Sequence, residues 1–430
     1  MARLRAFWFS LNASYWFFPA LFSVLAVLTA SVTIALDHAG GSDWMARTGW
    51  IVPARPEGAS NILTVIAGSM IGVASTVFSI TIAAVAYASG NYGPRLLTNF
   101  MEDKGNQLAL GSFISTFVYA VLVLRAVRMP GEGADAHGFV PQISLFVATL
   151  LMALSVAVLV YFLHHIPASI RINTVLEHVG KRLIAQIEDR FPKDGQDDEP
   201  AAPAGGAPVP ARATGYVTLI DFDRLQSFAS DHDLVLALSL RTGDFVNPDV
   251  PLLRVHGALP DDGAETLRGA FMFGALRTPE QDPDFLIDEL AEIALRALSP
   301  GINDPFTAVT ALHWLAAATA SLARRNLGVS ALLPSDGRRR VYPWPDDFAH
   351  YLGRGFGAVR LAAAGSPIAA CKFLECLASV AHGCRGPRRR AMLAREAEQL
   401  MEQARLALEG PALAQVEAAF SAMRETFDRP

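Results

Sequence analysis

The densest polar motif outside the apolar runs is Ser299-Pro300-Gly301-Ile302-Asn303-Asp304-Pro305. Asn303 and Asp304 bring an amide and a carboxylate to a helix start, where unpaired backbone N–H groups also gather. The pair could therefore hold a small ion or a small ligand. The same residue types also make an ordinary helix start, with Asp304 as cap and Pro305 in the first turn. His164 and His165 close an apolar run and offer a pH-sensitive interface, because imidazole titrates near neutrality. Two interfacial polar side chains are the plainer use. Cys371, Cys376, His382 and Cys384 follow Cys-x4-Cys-x5-His-x-Cys. That spacing is wider than the close pairs of structural zinc, and one helix would not put Cys371 and Cys376 on one face. No metal and no cofactor are expected. Gly353-Arg354-Gly355-Phe356-Gly357 lacks the Lys-Ser/Thr that grips phosphate. Neither a nucleophile elbow nor His-Glu-x-x-His occurs, so no catalytic residue is assigned and an enzyme is not expected.

These residues are ordered around one long element. From Asn61 to Leu97 no charged residue occurs before Arg95, which is enough to cross a bilayer as a tilted helix. Gly68, Gly72, Ser75, Ser79, Ala83, Ala86 and Gly90 are spaced by three or four and form one small, weakly polar stripe. Ile66, Met70, Val73, Val77 and Ile80 fall opposite. The expectation is that the bulky face meets lipid, while the small face meets another helix or a narrow aqueous path. The next apolar run, Leu108 to Leu124, has Gln107 at its start and Ser112, Ser115 and Thr116 along it. Gly68, Gly72, Ser75, Ser79, Gln107, Ser112, Ser115 and Thr116 are thus the pore-lining or helix-packing candidates.

The chain has 430 residues, of which only 18% are charged, against about 25% for a soluble domain. The deficit lies in the first 165 or so residues. Four transmembrane helices are expected: Trp16 to Leu36, the element from Asn61, Leu108 to Leu124, and Phe139 to Leu163. Arg3 and Arg5 beside Phe7, Trp8 and Phe9 mark an interface, and Gly93-Pro94 with Arg95 and Lys104 mark a turn. Four spans with this Lys/Arg bias put both termini in the cytoplasm of a bacterial inner membrane. Three clustered cysteines suit a reducing compartment. A net charge of −5 gives no footprint for nucleic acid. The runs Arg338-Arg339-Arg340 and Arg388-Arg389-Arg390 suit solvated turns or acidic headgroups.

The second half reads as a soluble α+β domain, a small β-sheet or barrel followed by helices. Residues 1–168 form the transmembrane domain in this reading. Residues 169–214 are an amphipathic juxtamembrane helix and a Pro/Ala/Gly linker, 215–280 a β-rich domain, and 281–430 a helical domain. Strands are expected at Tyr216–Ile220, Leu234–Leu240, Phe245–Val246, Leu252–Val255 and Leu267–Leu276. Helices are expected from Asp284, Asp304, Phe348 (to Leu361), Ile368, Pro387 and Pro411.

Three patches together resemble a known family: Tyr92-Gly93-Pro94-Arg95-Leu96-Leu97, Gln107 to Phe117, and Arg296 to Thr307. They are similar to the bacterial DUF2254 family of predicted membrane proteins. The resemblance implies location and class, and supplies no substrate or catalytic residue. The functional expectation is an oligomeric channel or pore with a cytoplasmic gating and assembly domain. Its partners would be the lipid bilayer, further copies of itself, and a small ion or ligand. The alternative is a non-conducting, membrane-anchored ligand sensor or scaffold.

Overall fold

The computed structural model describes residues 14–40, 54–93, 103–130, 138–193, 202–328, 339–345, 347–384 and 386–428. The basic and aromatic opening with Arg3 and Arg5, the turn at Pro94-Arg95, and Arg338 lie outside the described residues. The chain divides into two compact units, Met1–Arg171 and Ile172–Pro430.

The first unit is built from α1 (Phe17–His38), α2 (Pro56–Tyr92), α3 (Lys104–Ala126) and α4 (Gln142–Ser169). Each is long and apolar enough to cross a membrane. α3 is the central helix: it packs against the other three, and Phe113, Tyr119, Ala120 and Val123 on it are buried. Leu63, Ile66, Met70 and Val77 of α2 and Phe162 of α4 complete that core. This reverses the expected use of α2. Its bulky residues Ile66, Met70 and Val77 face the bundle rather than lipid, while the small stripe is exposed. The buried face mixes the bulky residues with Ala59, Ala67, Ala74 and Ala88, small residues that let the neighbouring helices approach closely while the larger ones fill the space between.

The second unit begins with α5 (Ile172–Arg190), which buries Leu176, Val179, Leu183 and Ile187. These side chains pack on α8 (Pro283–Ala297) and α9 (Pro305–Ala323), so the expected amphipathic helix is present and its apolar face belongs to the helical core of this unit. Gly180 of α5 lies against the face of the Trp314 indole; a Cβ there would stand 2.8 Å from Trp314 Cγ.

The β region contains two small sheets that share one core. Its elements are β1 (Ala207–Pro210), β2 (Gly215–Ile220), α6 (Phe222–Asp231), β3 (Val235–Leu238) and β4 (Phe245–Val246). They continue with β5 (Pro251–His256), α7 (Gly263–Arg268), β6 (Phe271–Gly274) and, after α9, β7 (Val341–Tyr342). The strand orders are β1-β5-β3-β7 and β4-β2-β6. Three points differ from the sequence reading. β1 comes from the stretch expected to be linker, because Pro208 and Pro210 are tolerated on a sheet edge, where their missing N–H groups are not needed. α6 was not anticipated; Asp221 caps it, accepting from Arg224 N at 3.1 Å. The expected strand at Leu267–Leu276 is a short helix followed by β6.

Beyond β7 come α10 (Phe348–Leu352), a π-helical turn at Gly353–Gly357, and α11 (Ala358–Ala364). They replace the single helix expected over Phe348–Leu361. Gly355 in that turn lets the backbone approach Leu315, with a would-be Cβ 3.3 Å from Leu315 Cδ2. α12 (Pro367–Ala381), α13 (Gly386–Ala407) and α14 (Gly410–Asp428) follow. Buried Arg389 closes the end of α9, donating to the carbonyls of Leu322 (3.1 Å), Ala323 (3.1 Å) and Arg325 (2.8 Å).

Candidate functional site

In the first unit two carboxylates, Asp37 and Asp103, sit at helix ends. At one end Asp37 of α1 caps α4 from across the bundle. Its carboxylate accepts from Ile143 N (2.9 Å), Ser144 N (3.0 Å) and Ser144 Oγ (2.8 Å). Beside it the Tyr119 hydroxyl donates to Ser144 O at 3.2 Å and lies 2.8 Å from Thr33 Oγ1. At the other end Asp103 caps α3, accepting from Gly105 N at 2.7 Å. The same carboxylate is 2.8 Å from His165 Nε2, and Tyr161 OH is 3.3 Å from His165 Nδ1. Gly105 leaves room for this group: a Cβ there would stand 2.8 Å from His165 Nε2.

The sequence candidates are distributed over this frame in different places. Gln107 and Thr116 are buried, and Ser112 and Ser115 half-buried, on the central helix. Thr116 Oγ1 pairs with Ser155 Oγ at 2.9 Å. Gly68, Gly72, Ser75 and Ser79 are exposed on α2, and no atom would meet a Cβ at Gly68 or Gly72 within 4 Å. The α2 stripe and the polar residues of α3 are therefore not brought together within one chain. Of the two histidines, His165 joins the Asp103 pair and His164 is exposed. Asp304 caps α9, accepting from Thr307 N (3.1 Å) and Thr307 Oγ1 (2.6 Å), while Asn303 adopts a left-handed φ of 50° in the preceding turn. Among the described residues no His/Cys/Asp/Glu group is arranged to hold a metal. Burial pushes the Cys376 thiol up to about 12, which makes it an inert core side chain.

The second unit holds a cavity of about 220 Å³ where five separate chain segments meet. α5 contributes Gln186, Asp189 and Arg190; the end of β3 and its turn contribute Leu238, Leu240, Arg241 and Thr242. Ile220, Phe222, Glu280, Gln281, Pro283, Pro343 and Trp344 complete it. Gln281 is held in place by the chain itself, accepting from Ile220 N at 3.0 Å and donating to Ile220 O at 3.3 Å.

Behind the cavity a charged network fixes the start of α8. Arg277 pairs with Asp282 and Asp288, each at 2.7 Å. Arg354 pairs with Asp288 at 2.7 Å, and His350 Nε2 lies 2.8 Å from Asp284. Burial raises the Asp282 carboxyl to about 6 despite Arg277. Burial also pushes the Asp284 carboxyl up, but the His350 hydrogen bond and the charges of Arg354 and Arg241 outweigh it and hold the group below its usual range.

Sequence reasoning missed Asp37, Asp103 and the cavity. Asp103 carries a local signal, an acid just before an apolar helix. Asp37 and the cavity residues carry none, since their partners are far away in the chain.

A bundle of membrane-capable helices followed by a mostly helical unit with small sheets defines a membrane protein. Residues 12–379 match the model of the DUF2254 family, predicted membrane proteins, and the chain belongs to that family. Uncharacterised proteins of Mycobacterium tuberculosis and Mycobacterium bovis are 32% identical to it over 353 residues. The match covers 78% of this chain and 66% of each relative, so the chain spans just under two thirds of their length. No solved structure matches.

Proposed function

We propose that this is a membrane-anchored ligand-binding protein whose soluble unit takes a small molecule in the cavity beside Gln186. In this reading α1–α4 cross a bacterial inner membrane and both ends of the four-span unit face the cytoplasm. By length and composition α9 is also a candidate span. We assign it to the soluble core, because it packs on α5 and α8, and α8 carries the charged network, which would be costly in hydrocarbon. The carrying observation is the cavity: a recess lined by several converging segments is the usual form of a small-ligand site. Native mass spectrometry of protein taken directly from membranes tests it. A bound small molecule present in the native protein and lost in Trp344→Ala supports the reading. Identical masses for both, without ligand, would defeat it.

The exposed small stripe of α2 favours a second reading, an oligomeric channel. Gly68, Gly72, Ser75 and Ser79 face outward, where several copies around an axis would bring them to a shared path. Ion flux in liposomes, abolished by Gly72→Leu with assembly intact, would establish this reading. Absence of flux would end it.

A further inference from the structure

We propose that the end of the second unit where the chain enters it, built around the Ser299–Phe306 turn, rests in the headgroup layer of the bilayer and holds its exposed apolar side chains there. Helix directions define that end. Gly180 of α5 lies against Trp314 of α9, and further along the same two segments Asn326 N donates to Pro192 O at 3.0 Å. The residue offset is the same at both places, so α5 and α9 run parallel in constant register. Phe306 is then level with Ile172, the first residue of α5. α12 runs the same way: the charges of Lys372 and Glu375 act on His313, and Gly383 lies against Arg324. Its start at Pro367 is at the same level. α14 starts there too, since Cys371 Sγ near the start of α12 donates to Gln415 O at 3.7 Å. α13 runs back to that point from the opposite end, where Arg389 meets the carbonyls of Leu322 and Ala323. The α8–α9 turn, the α13–α14 turn and the start of α12 therefore share one end of the unit.

That end is apolar and the other is not. Leu295, Ile302, Ile368, Phe306 (71% exposed) and Leu406 (91% exposed) stand out from it. Among the described residues no large apolar side chain is exposed at the opposite end, around Pro192, Asn326 and Gly383. Single exposed apolar side chains are ordinary, but a set confined to one end marks an interaction surface. Chain connectivity names the partner. Only Ile170 and Arg171 separate Ile172 from α4, a membrane-capable helix, and three residue steps span at most about 11 Å. The apolar end is thereby tied to the place where α4 leaves the membrane. An aromatic ring and aliphatic side chains, with exposed Arg171 at the same level, suit the boundary between acyl chains and acidic headgroups. Asp304, between Ile302 and Phe306, spends its carboxylate inside the turn, on Thr307.

The test uses the full chain in liposomes of phosphatidylethanolamine and phosphatidylglycerol. The photoreactive residue p-benzoylphenylalanine replaces one exposed residue at a time: Phe306, His382 at the opposite end, or Val160 on α4. All three positions are exposed, so folding tolerates the change. After irradiation, peptide mass spectrometry reads lipid adducts and gel electrophoresis reads cross-links between copies. Phe306 is expected to give at least about tenfold more lipid adduct than His382. Equal yields at Phe306 and His382, with Val160 carrying lipid, would overturn the inference and leave the membrane spans standing. A cross-link from Phe306 to a second copy in place of lipid would also overturn it, by making this end a contact between copies.

Discussion

Asp37 offers the sharpest test of the membrane unit. It is 5% exposed and accepts three hydrogen bonds from the first residues of α4. Asp37→Ala removes a helix cap, worth about 1 kcal/mol, and a negative charge at a helix N-terminus, worth up to about 2 kcal/mol when partly buried. It also leaves the Ser144 hydroxyl without its acceptor, about another 1 kcal/mol. Release from the cost of burying a carboxylate offsets part of this, giving a net loss of about 2–4 kcal/mol. Asp37→Asn keeps one acceptor oxygen but loses the charge and sets its NH2 against a donor, so it should lose only somewhat less than Asp37→Ala. Ser144→Ala should lose about 1 kcal/mol, and the double variant with Asp37→Ala should lose less than the sum. Denaturant unfolding of the purified protein in detergent, followed by circular dichroism, measures all four. An Asp37→Ala protein within about 0.5 kcal/mol of native would refute the cross-bundle cap.

Four other outcomes are expected. Gly180→Ala should destabilise by about 1–2 kcal/mol in thermal unfolding: Ala gains about 1 kcal/mol of helix propensity, but its methyl drives into the Trp314 indole. A stabilised variant would mean that the indole moves away freely. Arg389→Ala should lose about 2–4 kcal/mol by leaving the carbonyls of Leu322, Ala323 and Arg325 without their donor. Asp282 gives a pH signature. Its folded-state value of about 6 lies above the ordinary 3.8, so the folded state holds the proton more tightly and stability falls as pH rises through that window. Native protein should therefore lose about 2 kcal/mol relative to Asp282→Asn between pH 4.5 and pH 7, and a flat difference across that range would contradict the burial of the carboxylate. Gly68→Leu and Gly72→Leu should stabilise the isolated chain by up to about 1 kcal/mol through helix propensity, because a Cβ at either glycine meets no atom within 4 Å; a loss of more than about 0.5 kcal/mol in unfolding would contradict the open face.

By itself the sequence determined the long apolar helices, the family resemblance and the loss of long apolar runs after residue 168. These features are carried by composition and by the period of apolar residues, which need no knowledge of distant partners. It also showed where α9 starts, because Asp304-Pro305 is a local signal that the structure uses locally. Tertiary structure alone decided which face of α2 turns inward. The periodicity revealed two faces, but only the packing of the other helices of the unit determines that the face with Ile66, Met70 and Val77 is buried and the glycine stripe is not. It alone made Asp37 a cap, through a partner more than a hundred residues away. The cavity is the extreme case. Gln186, Arg241, Gln281 and Trp344 have no common spacing, and they become neighbours only when α5, β3, the start of α8 and the segment after β7 converge on one core.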